Sequence, residues 1–306
     1  MQMEQFFLTT FAYAKINLAL AIHGIREDGY HELQSVMQSI ALHDIVRVRR
    51  CGVKVVCRCG ALSGVGNIAH KAAVLFLEQL GQSEGLEIEI KKVIPVRAGL
   101  AGGSTDAAAT LRLLNQLYGE PLSRETLLTL ARRCGADVAF CLSGGTMWAT
   151  GRGEGLETLP KAPPMDLVLA KPLAGVNTRE AYLRFDLMGQ SGSLSQTDWE
   201  KALAKNPTQI ADLLHNDLEP ASIQIVPEIL VLKQYLLEAG CYGALMSGSG
   251  SCVFGIAQGK QHAIEVAGQL RKKGFKDVWV TSTMDVTNER GDIRGETITT
   301  GNTRRV

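Results

Sequence analysis

The 306-residue sequence lacks the features that would place it in a membrane or on a nucleic acid. Lys and Arg total 32 against 31 Asp and Glu, so no excess of positive charge favours a phosphodiester backbone. No apolar run approaches the roughly 20 residues of a transmembrane helix. The first residues also lack the basic region, apolar stretch and small-residue cleavage site of a secretory signal. We therefore expect a soluble cytoplasmic protein without a membrane or nucleic-acid partner. As a separate expectation that these features do not determine, we take the protein to be a monomer or weak homodimer.

The cysteines lack the pairing that a disulfide framework or a zinc site would need. There are seven of them, an odd number, and no two form a C-x-x-C pair. Cys57 and Cys59 are too close together for an ordinary zinc knuckle and have no second pair to complete one. We expect free thiols and assign no residue as a metal ligand.

The stretch from Val93 to Tyr118 contains an apolar run, a glycine-rich turn and a helical pattern in succession. Glycines allow positive φ angles and let a ligand approach the main chain closely, and free N–H groups at a helix start favour phosphate. No lysine lies between Lys92 and Lys161, which excludes a Walker loop, and the glycine spacing does not fit G-x-G-x-x-G. By itself, the stretch fits a capped turn and a phosphate cradle equally well.

The helix of this stretch is predicted to begin near Ser104. Ser104, Thr105 and Asp106 are alternative capping residues, since each side chain can accept a hydrogen bond from the first helical turn. Gly119 occupies the position of a C-terminal cap.

The rest of the chain mixes strands and helices without a regular βαβα rhythm, which predicts an α+β fold. Strands are predicted at 6–22, 35–41, 45–50, 53–59, 86–93, 146–150, 166–170 and 277–283, and around the S-G-S-G-S turn within 243–256. Helices are predicted at 68–80, 104–118, 123–134, 178–185, 197–204, 227–239 and 261–272. The P-K-A-P-P segment predicts a boundary between a domain at 1–162 and one at 163–287, and the polar residues 288–306 are predicted to be a disordered tail.

Two charged residues lie in otherwise apolar segments: Lys15 in A-K-I-N-L and Asp137 in A-D-V-A-F. A half-buried lysine needs an anionic partner. Phosphoryl transfer needs a cradle for negative oxygens, a cation near the developing charge and a group that positions the attacking hydroxyl. Other interpretations stay open: Lys15 extending to solvent from a strand edge, Asp137 capping a short helix, His31 on the surface, and S-G-S-G-S as a plain turn.

Five motifs together resemble the GHMP kinase superfamily over about residues 11–283. They are A-K-I-N-L at 14–18, D-G-Y-H-E-L at 28–33, I-P-V-R-A-G-L-A-G-G-S-T-D-A-A at 94–108, G-A-D-V-A-F at 135–140 and M-S-G-S-G-S-C-V-F at 246–254. The pairing of D-G-Y-H with A-K-I-N is typical of the branch that acts on a cytidyl-bearing substrate. Thr105 stands where this branch usually has a second serine, and it keeps the hydroxyl.

The resemblance implies a two-domain fold, with an N-terminal domain like ribosomal protein S5 domain 2 and a ferredoxin-like C-terminal domain. It implies transfer of the γ-phosphate of ATP to the 2-hydroxyl of a cytidyl-methylerythritol diphosphate in non-mevalonate isoprenoid synthesis. Mg²⁺ is expected with ATP; its ligands are not assigned, and Ser104 is only a candidate.

The resemblance also implies roles for individual residues. Asp137 would be the catalytic base, with Lys15 beside it. Asn17 would face the substrate near the phosphate acceptor, and Gly248 to Ser251 would close the site. Those expected to stack on the cytosine or hydrogen-bond its edge are Tyr30, Tyr182 and His31. Those expected to surround the triphosphate are Pro95, Val96, Arg97, Ala98, Gly99, Leu100, Ala101, Gly102, Gly103, Ser104 and Thr105.

Three alternatives remain. Another superfamily kinase, of the mevalonate, homoserine or sugar type, is disfavoured by Tyr30 and His31. A non-catalytic RNA-binding protein sharing the S5-like fold would need a basic surface, which the balanced charge does not support. A non-catalytic ligand-binding relative would be expected to lack Asp137.

Overall fold

A computed structural model describes residues 6–189 and 191–285, and the predicted tail at 288–306 lies outside this range. The strands are β1 (Leu8–Ile25), β2 (His31–Arg50), β3 (Val55–Arg58), β4 (Leu86–Lys91), β5 (Thr146–Thr150), β6 (Gly155–Thr158), β7 (Asp166–Lys171), β8 (His215–Asn216), β9 (Gly243–Met246), β10 (Val253–Ile256) and β11 (Asp277–Ser282). The helices are α1 (Ile68–Leu80), α2 (Gly102–Leu117), α3 (Arg124–Cys134), α4 (Ala136–Ser143), α5 (Thr178–Met188), α6 (Gln196–Leu203), α7 (Pro207–Asp212), α8 (Glu219–Ile225), α9 (Glu228–Glu238) and α10 (Lys260–Lys272). The predicted α+β class is confirmed.

A long antiparallel hairpin of β1 and β2 lies within the first sheet, whose order is β3-β4-β2-β1-β8, with β5 added to β2 and β6 to β5. The prediction of two strands in place of β2 was wrong. His43 and Asp44, which lie between the two predicted strands, stay paired with Tyr13 and Ala12 across the hairpin. Asp44 is tolerated at a buried position because its carboxylate accepts hydrogen bonds from neighbouring main chain.

The second sheet has four antiparallel strands in the order β11-β7-β10-β9. Numbered within this sheet alone, the order is 4-1-3-2, and α10 connects the third strand to the fourth. The connection between the first and second strands holds five helices, α5 to α9. This arrangement is the ferredoxin-like domain that the resemblance implied.

The two sheets share part of their core. β6 ends at Thr158 and β7 begins at Asp166, so the P-K-A-P-P segment lies between them. β8, from the second half of the chain, nevertheless pairs in parallel with β1 of the first sheet. One buried apolar cluster also joins Ile16 of β1 to Leu169 of β7 and Phe254 of β10. The division at residues 162 and 163 therefore stays a prediction.

Helix α2 begins at Gly102, two residues earlier than predicted, and no side chain caps it. Its N-cap is Ala101, in the left-handed conformation with φ of 57°. Two of the three predicted caps are engaged elsewhere: the hydroxyl of Thr105 donates to the Tyr13 carbonyl, and the carboxylate of Asp106 accepts from Lys92. At the other end, Gly119 adopts φ of 80° just beyond the cap residue, as its position suggested.

Two further features bear on the exclusions made from the sequence. Within the described residues, no helix is long and apolar enough to cross a membrane. All seven cysteines are free thiols, as expected. Burial raises the pKa of Cys141 and of Cys252 to about 12, so both stay protonated.

Candidate active site

A cleft of about 1750 Å³ collects the motifs that are far apart in the sequence. Residues of both halves of the chain line it, including Lys15 of β1, Gly99 of the glycine loop, Asp137 of α4, Tyr182 of α5 and Gly248 of the S-G-S-G-S turn. A cavity of this size exceeds the range of about 300–1,000 Å³ that is usual for a single ligand, and it has room for two.

The glycine loop, residues 95–101, joins β4 to α2 and packs against the S-G-S-G-S turn. The N–H of Cys252 donates to the Ala98 carbonyl at 3.2 Å, and the Ser247 hydroxyl donates to the Gly99 carbonyl at 2.9 Å. Gly99 has φ of 74°, and a Cβ there would lie 1.9 Å from the Ser247 carbonyl oxygen. Glycine is therefore required at this position both for its backbone conformation and for the close approach of the two loops.

The start of α2 opens into the cleft. In the described part of the chain, no hydrogen-bond acceptor is recorded for the N–H groups of Gly102, Gly103 and Ser104. Such groups at a helix start carry partial positive charge and suit an anionic ligand. Each of the predicted loop residues from Pro95 to Ser104 lines the cleft. Thr105 does not, because it is buried, with its hydroxyl on the Tyr13 carbonyl.

Lys15 and Asp137 meet in the cleft. Lys15 is buried in β1, and its Nζ lies 3.7 Å from Asp137 Oδ2. Asp137 lies in the first turn of α4 without making a capping hydrogen bond there. Lys15 therefore does not extend to solvent from a strand edge, and Asp137 does not cap its helix.

Asn17 is held by hydrogen bonds at both ends of its amide. Its Oδ1 accepts from Lys15 Nζ at 2.6 Å, and its Nδ2 donates to the Ser35 hydroxyl at 2.8 Å. Its main-chain N–H donates to the Ser247 hydroxyl at 3.2 Å, which links β1 to the second half of the chain. Asn17 lines the cleft, and it orients the ammonium of Lys15.

The predicted base-binding residues lie at another part of the cleft wall. The His31 ring packs on Tyr182 with centroids 4.6 Å apart, and its Nε2 lies 2.6 Å from Asp186 Oδ1. Tyr30 is largely exposed, with the Arg152 guanidinium 4.9 Å from its ring centroid. No ring contact joins Tyr30 to Tyr182 within residues 6–189 and 191–285. The structure thus brings His31 and Tyr182 together and leaves Tyr30 apart from them.

A buried charge cluster at the start of α2 was missed in the sequence. Lys92 donates to Asp106 at 2.7 Å and also to Asp44. Oδ1 of Asp106 is buried without a hydrogen-bond partner. Burial raises the pKa of the Asp106 carboxyl to about 8, with the neighbouring Asp44 adding to the effect and Lys92 opposing it. Only the aspartate inside S-T-D could have indicated this cluster, and it was interpreted as a helix cap.

Family models match both halves of the chain. Residues 67–145 match the GHMP kinases N terminal domain and residues 199–276 match the GHMP kinases C terminal domain. A 4-diphosphocytidyl-2-C-methyl-D-erythritol kinase of Desulfitobacterium hafniense is 54% identical over 93% of this chain and 97% of its own length. The kinase of the same name from Pelotomaculum thermopropionicum is 42% identical over 91% and 98%.

Solved structures agree with these matches. The crystal structure of a 4-(cytidine 5'-diphospho)-2C-methyl-D-erythritol kinase has a TM-score of 0.79 and 35% identity, covering 90% of this chain and 99% of that one. A homoserine kinase from Cytophaga hutchinsonii has a TM-score of 0.72 at 22% identity, covering 92% and 96%, and shows the fold alone. The chain belongs to the 4-diphosphocytidyl-2-C-methyl-D-erythritol kinase family of the GHMP kinases.

Proposed function

We propose that the chain is an ATP-dependent kinase that phosphorylates the 2-hydroxyl of 4-diphosphocytidyl-2-C-methyl-D-erythritol, with Asp137 as the catalytic base. The reaction belongs to non-mevalonate isoprenoid precursor synthesis. The observation that carries the proposal is the 3.7 Å contact between Lys15 Nζ and Asp137 Oδ2 in a cleft that the glycine loop also lines. This contact supports the proposal because a buried ammonium, a carboxylate that could accept a proton and a helix start suited to an anion then share one cavity.

The loop and the start of α2 fit a triphosphate. Gly99, Gly102 and Gly103 present main chain without side chains, so phosphate oxygens can reach the N–H groups directly. Arg132 and Arg133 are exposed at the edge of the same cleft and add positive charge. The proposed ATP site therefore combines a main-chain surface free of side chains with exposed cations at its edge.

Mg²⁺ would enter with ATP, since this ion is usually held by substrate phosphates and one or two protein oxygens. Ser104 fits as one such ligand because its hydroxyl lines the cleft and makes no hydrogen bond in the described part of the chain. When bound, the ion would neutralise part of the charge on the phosphate oxygens.

The chemical step needs one proton acceptor and one fixed cation. As the substrate 2-hydroxyl oxygen bonds to the γ-phosphorus, its proton passes to Asp137, and the bond from the γ-phosphorus to the leaving oxygen of ADP breaks. Lys15, oriented by Asn17, offsets negative charge on the transferring group. Because Lys15 is buried, its position does not depend on the substrate for support.

The acceptor half of the cleft fits a nucleobase. One face of Tyr182 is covered by His31 and one face of Tyr30 by Arg152, so a base would stack on the opposite face of either ring. Stacking on an aromatic side chain contributes about 1–3 kcal/mol per base. This contribution supports a cytidyl substrate over a bare polyol phosphate.

A substrate panel tests the proposal. ADP release should be rapid with 4-diphosphocytidyl-2-C-methyl-D-erythritol and close to background with mevalonate, homoserine or galactose. Preferred turnover of one of the other three alcohols would replace the proposed substrate. We further propose that a monomer is sufficient for activity, because Lys15, Asp137 and the glycine loop of one chain meet in the same cleft. Activity confined to an oligomeric fraction on size-exclusion chromatography would contradict that part.

A further inference from the structure

We propose that Asp186 is a positioning residue that fixes the tautomer of His31 and thereby selects a cytosine over a uracil base. The inference rests on the proposed function, since it concerns the base of the same substrate. Asp186 belongs to no motif of the sequence analysis, and it lines the cleft on α5.

His31 is clamped in two directions. Asp186 Oδ1 lies 2.6 Å from Nε2 of the ring, and Tyr182, one helical turn earlier on α5, packs on the ring face with centroids 4.6 Å apart. Phe185 adds an edge contact at 6.3 Å between centroids. The His31 side chain is only 13% exposed. These contacts leave the ring little freedom to rotate or flip.

The carboxylate decides which ring nitrogen carries hydrogen. An ionised carboxylate only accepts hydrogen bonds, so Nε2 of His31 must be the donor to Asp186. In a neutral imidazole the other nitrogen, Nδ1, is then an acceptor. Among residues 6–189 and 191–285, Nδ1 of His31 has no recorded hydrogen-bond partner, and the residue lines the cleft. The pair therefore offers the ligand an acceptor in a fixed position.

A fixed acceptor distinguishes the two pyrimidines. Cytosine carries an amino group at position 4, which donates, whereas the carbonyl oxygen at position 4 of uracil only accepts. When Nε2 donates to Asp186, Nδ1 of His31 can accept a hydrogen bond from the cytosine amino group. With uracil, Nδ1 and the carbonyl oxygen would both be acceptors and would repel each other. A site built to bond one group rejects an analogue that leaves its polar atoms unpaired.

Replacing the carboxylate by an amide removes this control. In Asp186→Asn the side-chain amide can accept from Nε2–H or donate to an unprotonated Nε2, so both tautomers of His31 become accessible. The test is the ratio of kcat/KM for the cytidyl substrate to kcat/KM for its uridyl counterpart. We expect Asp186→Asn to lower this ratio about tenfold or more, mainly through a higher KM for the cytidyl substrate, and Asp186→Glu to restore part of it.

Glu180→Gln is the matched control. It removes the same charge from the same helix, and Glu180 bonds to Arg184 outside the cleft. This variant should keep the wild-type ratio. An unchanged ratio in Asp186→Asn would overturn the inference, whereas failure of the wild type to phosphorylate the cytidyl substrate would overturn the proposed function and the inference with it.

A second measurement does not depend on the folding of any variant. ¹⁵N chemical shifts of the imidazole in the wild-type protein report which nitrogen of His31 is protonated. We expect Nε2 to carry the hydrogen and Nδ1 to carry none, and a doubly protonated ring would contradict the inference because it offers no acceptor. The Nδ1–H tautomer would overturn the inference even if the cytidyl substrate is the preferred one.

Discussion

Lys15 and Asp137 form an asymmetric ion pair, with Nζ 3.7 Å from Oδ2 and side-chain exposures of 5% and 33%. The ammonium is buried and anchored by Asn17, whereas the carboxylate opens to the cleft. A substrate hydroxyl can therefore reach Asp137 without displacing Lys15. This asymmetry separates the two roles that we propose, proton acceptance by the exposed partner and charge stabilisation by the buried one.

Asp137→Asn should lower kcat by about 100-fold or more, the usual size for removing a general base. Asparagine keeps the shape of the side chain but cannot take up the proton, so KM for both substrates should change little. Steady-state kinetics measure both quantities. Asp212→Asn, an exposed aspartate at the end of α7, is the control. A near-normal kcat in Asp137→Asn would remove the residue from the mechanism.

Lys15→Met should also lower kcat by about 100-fold, because methionine fills the buried space without charge. Residues that act as a unit give losses that do not add. The double variant with Asp137→Asn should therefore be little worse than the poorer single variant. Lys91→Met, at the exposed end of β4, controls for the loss of a lysine. Losses in the double variant equal to the product of the single losses would show that the two side chains act independently.

Gly99→Ala should raise KM for ATP and lower the melting temperature. The added Cβ meets the Ser247 carbonyl, so the glycine loop and the S-G-S-G-S turn must separate. Gly119→Ala is the control, since Gly119 has a similar φ of 80° and nothing within 4 Å of the added atom. That variant should show only the strain of positive φ, about 1 kcal/mol, and an unchanged KM. Equal effects of the two variants would contradict the role given to loop packing.

Ser104 and Thr105 should behave differently although they are neighbours. Ser104→Ala removes a hydroxyl that lines the cleft, so KM for ATP should rise and the apparent Mg²⁺ requirement should increase. Thr105→Val removes the bond to the Tyr13 carbonyl, which should cost about 1 kcal/mol of stability and leave KM nearly unchanged. Kinetic titrations of ATP and Mg²⁺ measure the effect expected for Ser104→Ala, and thermal unfolding measures the effect expected for Thr105→Val. A large increase in KM for ATP in Thr105→Val would instead support a direct role of Thr105 in binding the triphosphate.

Asp106 should make stability depend on pH. Its folded pKa, about 8, lies above the ordinary value of 3.8, so the folded state binds this proton more tightly than the unfolded state. The associated stability is complete below about pH 4 and is lost as pH rises through about 8. Asp106→Asn does not titrate, so its melting temperature relative to wild type should rise between about pH 5 and 8 and then level off. A difference that stays constant with pH would contradict the raised pKa.

Features set by local chemistry were predictable from the sequence. The helices predicted at 68–80 and 123–134 match α1 and α3 to within one residue. Asn67 and Ser123 cap these helices, and each capping side chain accepts from an N–H within three residues, so the start depends on local sequence alone. Lys15 and Asp137 could also be singled out from the sequence, since each is a charged residue in an apolar segment, and the resemblance implied their roles.

Features set by distant contacts were not predictable. The uncapped start of α2 depends on Thr105 and Asp106 bonding to β1 and to Lys92 instead of to their own helix. In the sequence, nothing distinguishes Asp186 from other polar residues on the exposed face of a helix. Only the fold brings it to His31, which lies 155 positions away. Such partners are fixed by packing across the cleft, which hydrophobic periodicity does not report.

The central claim is transfer of the γ-phosphate to the 2-hydroxyl of the cytidyl substrate. ³¹P and ¹³C NMR of the product formed from ATP and 4-diphosphocytidyl-2-C-methyl-D-erythritol test it most directly. We predict one new phosphomonoester resonance coupled to C2, with the diphosphate linkage intact, and its absence when Asp137→Asn is used under the same conditions. No new ester with the wild-type protein, or an ester on a different hydroxyl, would contradict the account.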